Sequence, residues 1–307
     1  MRITQTFQID CEERIMKYDV MIIGPATRDC NIDYDGMVNN CVGGAVTFCT
    51  PAAVSTGANV FAAVKANPAD TDIIDEFRMD SDHIALLPSE ETTVMRNEYF
   101  TADRERRKAS CTAQSGPITI DQIPEVDCGL YHLAGLLYGD FPNELIVGLS
   151  ERGKVSADIQ AFLRHNEGGS MNFHDWDAKL DYFKYFDFLK TDTAEAEILT
   201  GLTDRYEAAR VMHGWGAKEI MISNNAEMLV YDGAEFYTCP VKARNLSGRT
   251  GRGDTTFGSY IAMRMQGNDI PTSLLYATAC VSLKMETPGA FTGTRADVEQ
   301  YIADFYS

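Results

Sequence analysis

A chain of 307 residues, 45% of them hydrophobic, can bury a large core as one α/β domain or as a domain with a small lid. Its formal net charge of −18 argues against a general nucleic-acid or acidic-membrane binder, which is normally basic. Any phosphate site must then be made locally positive by backbone dipoles, a few Lys and Arg, and a metal ion.

The first 20 residues carry Asp10, Glu12 and Glu13 and lack a long apolar core, so no signal peptide is expected. With no run of about 18 apolar residues to span a membrane, the expected location is cytoplasmic. A strand is predicted at 19–24, a helix at 45–56, and strands at 59–66, 93–100 and 129–134. A helix follows at 143–151, a strand at 154–159, a helix at 178–185 and a strand at 186–190. The remaining chain reads as helices at 193–200 and 204–214, strands at 219–223 and 227–231, and helices at 255–266, 272–286 and 295–305. Such alternation predicts a mostly parallel sheet covered by helices on both faces, with ligands beyond the strands' carboxyl ends. The amphipathic strand 93–100 suits a lid. The charged stretch 103–108 reads first as a solvated turn, and otherwise as a loop near a phosphate. The eight cysteines are scattered without a C-x-x-C pair and read as reduced, mostly buried thiols; the five histidines show no H-x-x-x-H, so no zinc site is expected.

Chemistry concentrates in the run Gly248-Arg249-Thr250-Gly251-Arg252-Gly253-Asp254, just before the helix at 255–266. Glycines let successive N–H groups face one hollow, and a helix N-terminus adds partial positive charge. The result is an anion cradle. A carboxylate beside it suits the base that takes a proton from a hydroxyl attacking a phosphoryl group. The plainer reading is a tight loop with Asp254 as the helix N-cap.

Three further segments accompany the cradle: Gly43-Gly44 before the helix at 45–56, the run from Phe186 through Asp192, Glu195 and Leu199-Thr200-Gly201, and Leu283 to Pro288-Gly289-Ala290. In this order the motifs resemble those of the PfkB, or ribokinase-like, carbohydrate kinases, over residues 19–300. The resemblance implies a ribokinase-like three-layer α/β/α sandwich, as a single domain over 1–307. A small β lid would be inserted from N-terminal-half segments that include 93–110. It implies Asp254 as general base, with the N–H groups of Gly251, Arg252 and Gly253 on the transferring phosphoryl group. It implies ATP and Mg²⁺, with Glu195 reaching the metal through water beside Asp192, and Gly289 bordering the nucleotide. Asp29, Gly43 and Gly44 would contact substrate hydroxyls. Asp192 also reads as an N-cap with Glu195 completing a capping box, and both readings can hold.

Three departures matter. Gly248 replaces an acid, which puts a monovalent-cation (K⁺) site in doubt. Arg252 replaces Ala. Ala45 and Phe48 stand where ribose-type members carry Lys and Asn, which disfavours ribose. The segment from Val155 to Arg164, with Asp158 and Gln160 at a strand end, resembles the inositol-kinase branch. It makes these two residues substrate-binding candidates; otherwise they cap the sheet edge. The leading expectation is an ATP-dependent phosphotransferase acting on a sugar or cyclitol hydroxyl. A nucleoside kinase is the alternative, with Phe48, Tyr99 and Phe100 as walls for the base. A catalytically silent sugar-binding or regulatory protein is kept open by Asp192 and Gly248. Pairing through the lid into a homodimer is a further expectation.

Overall fold

The computed structural model describes residues 18–101 and 106–307. The expectation about an N-terminal signal falls mainly on residues 1–17, which lie outside this range together with Cys11, Asp103, Arg104 and Glu105.

The strands are β1 Tyr18–Pro25, β2 Thr27–Ile32, β3 Val38–Gly43, β4 Val60–Ala66, β5 Ile84–Pro88, β6 Thr93–Tyr99, β7 Arg107–Ala113, β8 Cys128–Leu133, β9 Lys154–Asp158, β10 Arg164–Glu167, β11 Ser170–Phe173, β12 Phe188–Asp192, β13 Glu219–Ser223, β14 Glu227–Tyr231 and β15 Phe236–Pro240. The helices are α1 Ala45–Ser55, α2 Asp72–Asp75, α3 Asn143–Ser150, α4 Gln160–Leu163, α5 Lys179–Tyr182, α6 Thr193–Thr200, α7 Arg205–Gly214, α8 Arg252–Met265, α9 Ile270–Lys284 and α10 Arg295–Phe305.

Nine strands form the main sheet in the order β15-β14-β13-β12-β9-β8-β1-β4-β5. From β5 to β13 every pairing is parallel; β14 and β15 close the edge antiparallel. Strand β4 is buried along its whole length, the mark of a sheet covered on both faces. Side-chain alternation splits the core. Val20 and Ile22 of β1 join Ala45, Phe257, Ile261 and Val281, from α1, α8 and α9. Met21 and Ile23 point the other way, with Leu145, Leu149, Leu199 and Met212 from α3, α6 and α7. The three layers and the mostly parallel sheet are those expected from the alternating pattern.

A second sheet runs β10-β11-β7-β6-β2-β3. In β6, Thr93, Met95, Asn97 and Tyr99 are buried while Arg96 is exposed, so one face is turned inward. Two strands of this sheet, β10 and β11, come from residues 164–173, beyond the N-terminal-half segments expected for a lid. Several strands lack a period-2 apolar signal. Polar β2 (TRDCNI) and β3 (VNNCVG) are examples; pairing of β2 with β6, and of β3 with β2, sets them rather than local pattern. The helix predicted at 178–185 is one α turn followed by the 3₁₀ turn Phe183–Tyr185. Seven described cysteines are free thiols: five are buried, Cys30 is half-buried and Cys41 is exposed. No described helix is long and apolar enough to cross a membrane.

Candidate active site

Parallel strands end together, and their ends open a cleft of about 300 Å³. Asp158, Asp192 and Ser223, the last residues of β9, β12 and β13, line it, as do Thr27 and Asp29 of β2. This is where an open α/β sheet binds ligands.

The N-terminus of α8 forms one wall. Its N-cap is Gly251, with φ 75° and no side-chain cap. A Cβ there would meet Phe48 Cδ1 at 2.2 Å, and one on Gly253 would meet Lys190 Nζ at 2.8 Å. Gly251 is therefore demanded by the Phe48 ring and by its left-handed backbone, while a side chain at Gly253 would have to displace the Lys190 ammonium. The helix starts three residues earlier than predicted. Asp254 is then its third residue, so the plain N-cap reading of this acid does not hold. Arg249 and Arg252 also line the cleft. The Arg252 N–H donates to the Arg249 carbonyl at 3.3 Å, a long bond, so it is the most committed of the three cradle N–H groups.

Asp254 lies among protein atoms but opens on the cleft. Burial pushes its carboxyl well above the usual carboxylate range, and the nearby Asp158 charge adds to this; Lys190 and Lys284 oppose. Asp158 and Lys190 form a buried ion pair at 2.7 Å. Burial alone would lower the Lys190 pKa, but Asp158, Glu195 and Asp254 outweigh it and hold the ammonium charged. Burial likewise raises Glu195, against the pull of Lys190. The capping box is present: Glu195 N–H donates to Asp192 Oδ1 and Asp192 N–H to Glu195 Oε2, both at 2.8 Å. Both acids also line the cleft, so capping and cleft placement coexist. Among the described residues no group of three or more His, Cys, Asp or Glu is arranged to hold a metal ion. Mg²⁺ needs less, since it keeps several waters and takes one or two carboxylates beside substrate phosphates. Asp192 and Glu195 fit that role.

The opposite wall belongs to the second sheet. Asp29 accepts from Thr27 Oγ1 at 2.5 Å; burial raises its pKa, while Thr27, Arg107 and Arg164 pull it down. A Cβ on Gly43 would meet Asp29 Oδ2 at 2.4 Å, and one on Gly44 (φ 100°) would meet the Pro25 carbonyl at 2.5 Å. The glycine pair thus lets the end of β3 press against β1 and β2. Gly44 lines the cleft, and Gly43 lies behind Asp29. Gln160 lines the cleft, its N–H donating to Asp158 Oδ1 at 3.2 Å. Phe48 and Tyr99 line it too, but Phe100 is 58% exposed and outside the lining. Gly289, in the turn after α9, is also outside it.

The cleft also holds Lys190, Arg107, Arg164 and Arg249, to none of which the sequence reading gives an individual role. Arg107 opens β7, so this end of the charged stretch is strand rather than solvated turn. Arg164 is 7% exposed and its Nε has no hydrogen-bond partner among the described residues. For Lys190 a signal exists: a lysine inside the apolar run Phe188-Leu189-Lys190 must be paired if buried.

The model of the pfkB family carbohydrate kinases matches residues 130–296. A solved pyrophosphate-dependent kinase in the ribokinase family, complexed with a pyrophosphate analog and myo-inositol, is 30% identical. The match covers 92% of this chain and 99% of that one, with a TM-score of 0.82. A cytidine kinase from Thermococcus kodakarensis is 33% identical over an alignment of 121 residues that covers 35% of this chain and 41% of that relative. The match thus spans less than half the length of that curated relative. The Arabidopsis thaliana ribokinase complexed with ribose and ATP shares the fold at 15% identity, over 94% of this chain and 99% of that one (TM-score 0.73).

Proposed function

The chain belongs to the pfkB family of carbohydrate kinases, and from that premise we propose that it transfers the terminal phosphoryl group of a phosphoanhydride to a cyclitol hydroxyl. The observation that carries this reading is Asp254, held in the first turn of α8 where the helix N-terminus meets the strand ends.

Asp254 takes the proton of the acceptor hydroxyl as its oxygen bonds to phosphorus. The anhydride P–O bond breaks and the donor leaves as its shortened phosphate. The N–H groups of Gly251 and Gly253, with Arg252 beside them, hold the phosphoryl oxygens, and Lys190 adds charge beneath the loop. Such preorganised donors stabilise charge that develops in the transition state. Mg²⁺ held through water by Glu195 and Asp192 would neutralise the donor phosphates. Asp29, Asp158 and Gln160 face the acceptor, and carboxylates suit polyols because each accepts more than one directed hydrogen bond.

The proposed donor is inorganic pyrophosphate, as in the 30% identical relative. A donor without a base must be gripped by charge, and Arg249, Arg252 and Lys190 supply it. ATP is the second reading, favoured by Leu246, an exposed apolar residue in the cleft wall that can pack on a base. A nucleoside acceptor is favoured by the cytidine kinase match and by Phe48 and Tyr99. Phosphorylated product is to be measured with pyrophosphate and with Mg-ATP against inositols, hexoses, pentoses and nucleosides, beside Asp254→Asn. A cyclitol product lost in the variant supports the reading; turnover of nucleosides alone, or of none of the panel, overturns it.

A further inference from the structure

Lys284, the last residue of α9, is 1% exposed, yet its side chain makes no ion pair at contact distance among the described residues. Instead its Nζ donates to the Gly248 carbonyl at 2.6 Å and to the Thr250 carbonyl. The Phe48 ring, 5.2 Å away, covers it from the α1 side and also abuts the cap at Gly251. Two backbone carbonyls converging on one buried point under an aromatic face form a cation site. The carbonyls belong to the loop that leads into the cradle. Left without a donor the buried Gly248 carbonyl would be an unsatisfied acceptor, and the loop would lose the cation that draws the Gly248 and Thr250 carbonyls together.

Gly248 makes the second observation. A Cβ at this position would meet the Thr287 carbonyl at 1.9 Å, so the acid expected in a K⁺ site cannot be accommodated there. The loop is also tied to the end of α9 by Gly248 N–H to the Met285 carbonyl (2.7 Å) and Ser247 Oγ to the Glu286 carbonyl (2.8 Å). A cation fixed at a helix C-terminus is favoured by the helix dipole.

We propose that the Lys284 ammonium is a tethered replacement for a monovalent cation, a positioning residue that holds the Gly248–Gly251 loop so that the α8 cradle is formed without K⁺. Burial lowers the lysine pKa to about 8 while the Asp254 charge resists, so the ammonium persists at neutral pH. The mechanistic part of this proposal rests on the phosphotransfer reading above; the loop part does not.

The test compares wild type, Lys284→Ala and Lys284→Met in Na⁺, K⁺ and NH₄⁺ buffers. Turnover is read together with the melting shift produced by inorganic pyrophosphate. Wild type is expected to show the same turnover and shift in Na⁺ as in K⁺. Lys284→Ala is expected to lose about 10²-fold in kcat, the scale of losing preorganised anion donors. It should recover at least about tenfold of that loss in K⁺ or NH₄⁺, and its pyrophosphate shift should depend on those ions. Lys284→Met fills the space without charge and should not be rescued. Wild type that needs K⁺, or a Lys284→Ala variant with full turnover in Na⁺, overturns the proposal. If Lys284→Ala does not fold, the wild-type comparison decides. If the protein phosphorylates nothing, the phosphotransfer reading fails, and the cation dependence of the pyrophosphate shift still judges the loop.

Discussion

The two walls of the cleft are built in different ways. The α8 wall is made by residues close together in the chain: one left-handed glycine, a second glycine over Lys190, and an acid one position later. The facing wall is made by side chains from four strands of the smaller sheet: Asp29 from β2, Asn97 from β6, Arg107 from β7 and Arg164 from β10. A backbone device tolerates almost no substitution, whereas a constellation of side chains can be retuned residue by residue. The chemistry of transfer should therefore reside in the first wall and the choice of acceptor in the second.

The sharpest way to break this division is Asp254→Asn. Removing a general base typically costs about 10²–10⁴ in rate, so kcat should collapse while pyrophosphate or ATP still shifts the melting temperature. A variant with near-wild-type turnover removes Asp254 as base and empties the first wall of its chemistry. Next in size is Gly253→Val, whose new side chain must displace the Lys190 ammonium, 2.8 Å from where its Cβ would sit. Loss of the anion hole is worth about 10²–10³ in kcat, and unchanged kcat would sink the cradle assignment.

The same contrast explains what the sequence makes legible. The segment Gly248 to Asp254 can be read because its glycines, helix start and acid are neighbours in the chain. The capping pair Asp192 and Glu195 can be read for the same reason. Arg164 cannot: its role comes from β10 joining, through β11, β7 and β6, the sheet that holds β2, an arrangement that no local pattern announces. Strands β2 and β3 escape notice because Arg28, Asp29, Asn39 and Asn40 interrupt any apolar alternation. In sequence Lys284 is one more residue of a helix end, and only its placement under Gly248 and Thr250 gives it meaning. Seven strands of the main sheet, by contrast, follow from buried runs such as Val60–Ala66, whose apolar content needs no tertiary information, while the edge strands β5 and β15 go unread.

Arg164→Gln tests the second wall. A hydrogen bond to a charged group contributes about 1.5–3 kcal/mol, so KM for the acceptor should rise roughly ten- to a hundred-fold with kcat changed much less. The donor KM should stay constant. A fall confined to kcat would place Arg164 in the transfer step and blur the division between the walls.

The smallest expected effect is a displacement in pH, and it separates the walls without removing either. Catalysis by Asp254 needs its carboxylate. Burial and Asp158 raise its pKa, so kcat/KM should fall on acidification at a higher pH than an ordinary aspartate would give. Asp158→Asn removes the like charge. It also leaves the Lys190 ammonium without its 2.7 Å partner and free to act on Asp254. Both changes favour the carboxylate, and Lys284, which also opposes the rise, is untouched. The acid limb should therefore move to lower pH, by about one unit for a neighbouring charge. The amplitude of kcat/KM will drop as well if Asp158 contacts the acceptor, but amplitude and limb position are read independently from one profile. A limb that stays in place while the amplitude falls would make Asp158 an acceptor contact alone, and the titrating group would have to be sought outside the α8 wall.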